Sequence, residues 1–287
     1  MTSQLKTLLL LALLTGLMLL LGQAAGGKTG LVIALVLALV MNFVSYWYSD
    51  KIVLSMYKAQ ELKPSDAPWL HAIVAELAKN AGIPKPRICV IPQDAPNAFA
   101  TGRNPENAVV AVTRGIMHAL SPEELRGVLA HEIAHIAGRD ILIQSVAAVL
   151  GAAIMSIAHM LQWGALFGLG RRDNDEGGGG LSALALAIIA PIAAMLIQMA
   201  ISRSREFLAD ETGARLSGRP LDLANALARL DAASRQIPLE GSPVAENLFI
   251  VNPFAGAGFA NLFSTHPPMA ERINRLRELA RRGGYRP

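Results

Sequence analysis

Long apolar stretches alternate with long polar ones along this chain. Four stretches, at about 7–25, 30–48, 141–169 and 181–201, each carry enough consecutive apolar residues to cross a bilayer as a helix. A helix needs roughly 20 such residues, because in lipid every backbone polar group must be satisfied within the segment. The first two stretches are joined only by Gly26-Gly27-Lys28-Thr29, which predicts a helical hairpin. The last two are joined by residues 170–180, a loop with four consecutive glycines beside Arg171 and Arg172. The first stretch also resembles a signal peptide, with Lys6 ahead of it and the small residues Gly22, Ala24 and Ala25 behind. Its removal would leave the orientation of everything downstream unchanged. The alternative for the second pair, core helices of a soluble protein, sits poorly with the length and uniform apolarity of 141–169.

The polar segments follow a different rhythm. Asp66-Ala67-Pro68 ahead of Leu70, Ile73, Val74, Leu77 and Ala78 predicts a capped amphipathic helix. Short strands are predicted at 87–91, 97–101 and 108–112, with turn residues between them. Ser121-Pro122-Glu123-Glu124 announces another helix, with Ser as N-cap, Pro at N1 and Glu at N3 forming a capping box. Helical periodicity returns at 203–216, 221–233 and 269–282. The chain therefore divides into a hairpin (1–48), a polar part (49–140), a second hairpin (141–201) and a second polar part (202–287).

Composition supports a bilayer. Of 287 residues, 52% are hydrophobic and 17% charged, too apolar for an ordinary soluble enzyme. The formal charge of +4 could point to nucleic acid, but aromatics are few and no basic run is interleaved with them, so no nucleic-acid partner is expected. The position of the charge explains it better. Lys28, Arg171 and Arg172 lie in the two connecting loops, while the other 23 of 26 basic residues lie in the N-terminus and the two polar parts. By the positive-inside rule, Lys6, Lys51, Lys58, Arg139, Arg203 and Arg205 near the span ends place both polar parts on the cytoplasmic side. The single cysteine, Cys89, lies in an apolar run, so disulfides and cysteine metal sites are excluded.

The chemistry begins at His131-Glu132-Ile133-Ala134-His135. Histidines four apart on a helix share a face and can reach one ion, and a glutamate beside the first can act as a base toward water instead of as a ligand. A third ligand is needed. The metzincin pattern would put a histidine at position 141, which is Ile141, so that class is rejected although Gly138 is in place. A carboxylate on a later helix is the other answer, and Ser202-Arg203-Ser204-Arg205-Glu206-Phe207-Leu208-Ala209-Asp210 supplies Glu206, with Asp210 on the same face. Asp210 is assigned as the acceptor that fixes a ligand histidine through its other ring nitrogen. Two spans separate the motifs, so a hairpin returns Glu206 to the membrane face where the histidines lie. His71, His118 and His159 read as structural.

The paired spans, His-Glu-Ile-Ala-His before the second hairpin, Glu-Phe-Leu-Ala-Asp after it and Ser264-Thr265-His266-Pro267-Pro268 near the C-terminus together resemble the HtpX family of bacterial membrane heat-shock proteases. The similarity extends to the eukaryotic CAAX prenyl proteases. The resemblance implies a mainly α membrane protein with four transmembrane helices and a zincin-like α+β domain containing a small sheet. It implies one Zn2+ per chain, held by His131, His135 and Glu206, with Glu132 catalytic, in a gluzincin-type endopeptidase of the bacterial cytoplasmic membrane. Misfolded or damaged membrane proteins are the implied substrates. It also draws attention to Asn97, Ala98 and Phe99, near an edge strand that pairs with extended substrate, and to His266 as a donor to the oxyanion or a cap of the following turn. Two rivals remain: a processing peptidase for one defined motif, and a membrane scaffold or transporter with a structural zinc closed by four protein ligands.

Overall fold

The computed structural model describes residues 3–152, 203–234, 248–250 and 267–283. The stretch 181–201, the later part of 141–169, the loop 170–180, His159 and His266 lie outside the described residues. The architecture is mostly helical, with one small mixed sheet.

The chain opens with α1 (Ser3–Met56), two helices joined at a kink where Gly26 and Gly27 leave helical geometry and Gly27 has φ 55°. That left-handed value is one that glycine reaches without steric cost. The two arms run back to back. A Cβ on Gly30 would lie 2.1 Å from the Gly22 carbonyl oxygen, so only glycine permits this approach. Farther along, Asn42 Nδ2 donates to Thr15 Oγ1 at 2.8 Å and ties the arms together. The second arm, Gly26–Met56, is the one helix among the described residues that is long and apolar enough by itself to cross a membrane. Its outward side chains, Val36 and Leu39 among them, are more than half exposed, as lipid-facing residues would be.

The sheet has the order β1 (Gln60–Glu61), β2 (Arg87–Ile91), β4 (Val109–Thr113) and β3 (Ala98–Thr101). β2 matches the sequence expectation in full, and β3 and β4 match it to within one residue at their ends. β1 was not foreseen; two residues are too short to show alternation. β2 and β4 are parallel, and β3 is antiparallel to β4 and lies at the edge. Period-two alternation sorts the side chains. Ile88, Ala98, Val110 and Val112 join the core with α2 (Pro68–Asn80), whereas Cys89, Phe99, Val109 and Ala111 pack on the other face with Val53, Tyr57 and Phe249. Cys89 is thus a buried structural thiol, its pKa pushed up by burial.

α2 starts without the side-chain cap that Asp66 was expected to provide. Its N-cap is Ala67, with Pro68 in the first turn, and Asp66 instead accepts from the Lys63 N–H and the Ser65 hydroxyl. A short α3 (Arg114–Ala119), also unforeseen, begins where Thr113 Oγ1 accepts from the Ile116 N–H. α4 (Pro122–Ala137) carries the capping box as read: Ser121 Oγ accepts from Glu124 N, and Ser121 N donates to Glu124 Oε2. The chain then bends by 92° into α5 (Ile141–Ala152). α5 buries Leu142, Ile143, Val146 and Leu150 against Leu10 and Leu14 of the first arm, so the start of the third apolar segment packs on the first. α6 (Arg203–Ser217) and α7 (Pro220–Ser234) then pack on α4, and α8 (Met269–Arg282) packs on both of them.

Candidate metal centre

α4 is buried along nearly all of its second half, including His131, Glu132 and His135. A buried helix can offer polar side chains only to elements that come close, and α6 does. A Cβ on Gly213 would lie 2.8 Å from the His131 backbone nitrogen, so this glycine lets the two backbones nearly touch. Glu206 and Asp210, two and one helical turns before Gly213, then face the histidines, and both are buried.

His131 Nε2 lies 3.1 Å from His135 Nε2, 3.7 Å separates it from Glu206 Oε2, and 3.4 Å separates His135 Nε2 from Glu206 Oε1. Three donors about 2.1 Å from a tetrahedral dication stand about 3.4 Å apart, so this donor set suits such an ion in spacing and chemistry. The other ring nitrogens turn away from the shared point. His131 Nδ1 meets Asp210 Oδ1 at 2.9 Å, and His135 Nδ1 faces Asp140 Oδ2 at 3.6 Å. Asp210 holds the Nδ1–H tautomer of His131 and leaves its Nε2 lone pair directed at the metal position, while Asp140 stands farther behind His135.

The two imidazoles differ electrostatically. Burial pushes His131 down to about 4, outweighing the hydrogen bond to Asp210. Burial acts the same way on His135, but Asp140, Glu206 and Glu132 together hold it up to about 9. The two Nε2 atoms, 3.1 Å apart, thus share the position a dication would take. Burial raises Glu132 to about 8, against the pull of His135. The Glu132 carboxylate also accepts from the Ala100 N–H, which places it at the outer edge of β3.

Sequence reasoning missed two groups here. Arg272 on α8 is fully buried and grips Asp210 with both arms of its guanidinium, Nε to Oδ2 at 2.8 Å and Nη2 to Oδ1 at 2.7 Å. Its Nη1 donates to the Ile250 carbonyl at 3.0 Å and lies 3.8 Å from Glu206 Oε2. The available signal was an arginine on the apolar stripe of α8, between Met269 and Leu276. Asp140 is the other, tied in turn to Arg205 at 2.8 Å. Its signal was a carboxylate at the start of an apolar span, a costly place for a charge.

Asn97, Ala98 and Phe99 are all buried. In β3 the outward-facing backbone groups belong to Ala98 and Ala100. The Ala98 oxygen accepts from the Ile250 N–H at 3.2 Å, and Phe99 stacks with Phe249 and Tyr57. Residues 248–250 therefore cover this edge at Ala98. His71, read as structural, bridges the Leu62 carbonyl and Lys85.

Peptidase family M48 matches residues 64–280. The Protease HtpX homolog of Syntrophobacter fumaroxidans is 60% identical over 282 residues, covering 97% of this chain and 100% of that protein. The homologue from Persephonella marina is 60% identical over 284 residues, covering 97% and 98% respectively. The homologue from Pyrococcus furiosus is 56% identical over 277 residues, covering 96% and 95%. Among solved structures, S. mikatae Ste24p shares the fold at TM-score 0.53 and 19% identity, over 95% of this chain. The present chain spans 65% of that one's length.

Proposed function

The chain belongs to peptidase family M48 and is a membrane-associated metalloprotease, and we propose that it is a zinc endopeptidase working at the cytoplasmic face of a bacterial inner membrane. In this reading four transmembrane helices, paired as hairpins at 1–48 and 141–201, carry the polar parts 49–140 and 202–287. His131, His135 and Glu206 hold one zinc ion, whose ligand preferences two imidazoles and a carboxylate suit. The observation that carries the proposal is the convergence of these three buried side chains, ligand atoms within 4.8 Å of one another, beside a buried Glu132.

Zinc, when bound, supplies Lewis acidity that brings the pKa of a water toward about 7 and polarises the scissile carbonyl. Glu132 takes the water proton and returns it to the leaving amine, a role suited by a carboxyl whose pKa burial has raised toward neutrality. Asp210 and Asp140 orient the two histidines, and Arg272 holds Asp210. Extended substrate pairs with the outward edge of β3, a mode that reads backbone more than side chains. At Ala98 that pairing requires residues 248–250 to move aside. His266 is carried as a donor to the oxyanion. Misfolded or damaged membrane proteins are the proposed substrates, as the kinship with HtpX homologues supports.

The test is metal content and proteolysis of detergent-purified full-length protein. Glu132→Gln should keep its zinc and lose cleavage by about 10³-fold or more, within the range that general acid–base catalysis and water activation contribute. Wild-type cleavage by that variant would remove Glu132 from the mechanism. A substrate panel cut at one defined site only would replace quality control with processing.

A further inference from the structure

Where the first hairpin meets the polar domain there is a cavity of about 470 Å³ that the proteolytic site does not use. Its membrane side is lined by Leu8, Leu11 and Leu142, and its other side carries Tyr46, Arg103 and Arg139. Among the described residues that line it there is no carboxylate. The level is that of a bilayer surface. Tyr46 follows the Gly26-Gly27 kink by about 20 residues, or about 30 Å of helix, the thickness of a hydrocarbon core. Leu8 precedes the kink by a similar distance on the other arm. Phe43, Tyr46, Trp47 and Tyr48 are all exposed there, as an interfacial aromatic belt would be.

Two features set the arginines apart from ordinary span-flanking charge. The Arg103 guanidinium lies 4.7 Å from the Trp47 ring centroid, which holds it at this level on the β3 side of the cavity. Arg139 has φ 58°, a left-handed conformation that glycine or asparagine usually fills, although Gly138 immediately before it has φ −71°. A branched-at-nothing but β-carbon-bearing residue there carries strain that glycine would relieve, and such strain points to a use for the side chain. The larger neighbouring cavity, of about 830 Å³, is less suited to an anion. It contains Asp50 and Glu106, and its Arg87 already stands 3.8 Å from Asp50.

We propose that Arg103 and Arg139 bind the phosphate of an anionic phospholipid headgroup, with the lipid's acyl chains lying along Leu8, Leu11 and Leu142. A phosphate oxygen accepts from each guanidinium, and Tyr46 borders the same headgroup. The two-arginine rim selects a net negative headgroup over a zwitterionic one, and the leucine wall selects lipid over free phosphate. Because Arg139 is chain neighbour to Asp140, the headgroup also braces the turn that presents Asp140 to His135.

The test is native mass spectrometry of the full-length protein in detergent, with phosphatidylglycerol, phosphatidylcholine or inorganic phosphate added. Wild type should retain one phosphatidylglycerol in preference to phosphatidylcholine, and inorganic phosphate should not displace it. Arg103→Gln and Arg139→Gly should each weaken retention by about tenfold, whereas Arg281→Gln, which removes an exposed charge on α8, should not. Arg139→Gly should at the same time hold or raise the melting temperature, which separates loss of the ligand from loss of the fold. Equal retention by wild type and both variants, equal retention of the two lipids, or displacement by inorganic phosphate would each overturn the proposal.

Discussion

The two histidines of the metal centre sit on one helix, yet the protein supports them in different ways. His131 is backed by Asp210 at 2.9 Å, and Asp210 is held in both arms of Arg272, all of them buried among α4, α6 and α8. His135 is backed by Asp140 at 3.6 Å, and Arg205 reaches Asp140 through one guanidinium nitrogen at 2.8 Å beside the turn into α5. The inner half is a closed ionic network. The outer half is looser and continuous with the turn that leads into α5. The difference also appears in protonation: His131 is pushed down to about 4 and stands ready as a ligand, while His135 is held up to about 9. One half of the site is thus set by helices packed in the core, and the other by groups at the turn into α5.

The harshest way to break this contrast is at Arg272. Arg272→Gln would leave Asp210 buried without its main counter-charge, a loss of about 3–5 kcal/mol, read as a fall in melting temperature together with loss of metal. If the inner network is as important as its geometry implies, Arg205→Gln should cost far less, since Arg205 holds Asp140 by one contact at a partly open position. Similar losses from the two variants would erase the distinction between the halves.

A gentler comparison sets Asp210→Asn against Asp140→Asn. Removing a carboxylate behind a metal-bound histidine typically weakens metal binding by about 10–100-fold. Asp210→Asn should fall near the upper end, because its contact is short and buried, and Asp140→Asn near the lower end. Competition with a chromophoric chelator measures both, and the reverse order would show that the outer half dominates.

The smallest effect is on pH. Metal must displace the proton that His135 carries below about 9, whereas His131 carries none at neutral pH. Apparent affinity should therefore weaken on acidification by about tenfold per pH unit near neutrality, with release of about one proton per metal bound. In Asp140→Asn this dependence should flatten, because the group that raises His135 most strongly is gone. Isothermal titration in buffers of different ionisation enthalpy reads the proton directly, and a pH-independent affinity would refute the assignment.

Much of this site was legible in the chain. The four-residue spacing of His131 and His135 follows from helical periodicity, and the capping box at Ser121 and Glu124 fixes where that helix begins. Both are local properties, so adjacent residues suffice to reveal them. The hairpin kink at Gly26-Gly27 and strand β2 were legible for the same reason. Arg272, Asp140 and the contact of Ile250 with β3 were not, because each depends on groups that are distant in sequence and meet only when helices pack. Asp66 teaches the converse: a good capping residue was present, but the local turn at Lys63 and Ser65 claimed its side chain.

What the sequence determined by itself was therefore the longer helices, the apolar segments and the chemistry carried on α4 and α6, since periodicity and composition act within one element. Only the tertiary structure decided how those groups were held. Gly213 allows α6 against His131, α8 delivers a guanidinium across 62 residues to Asp210, and the 92° bend after α4 sets Asp140 behind His135. Burial in that arrangement lowers His131 and raises Glu132, the surrounding carboxylates lift His135 against it, and no residue spacing encodes burial.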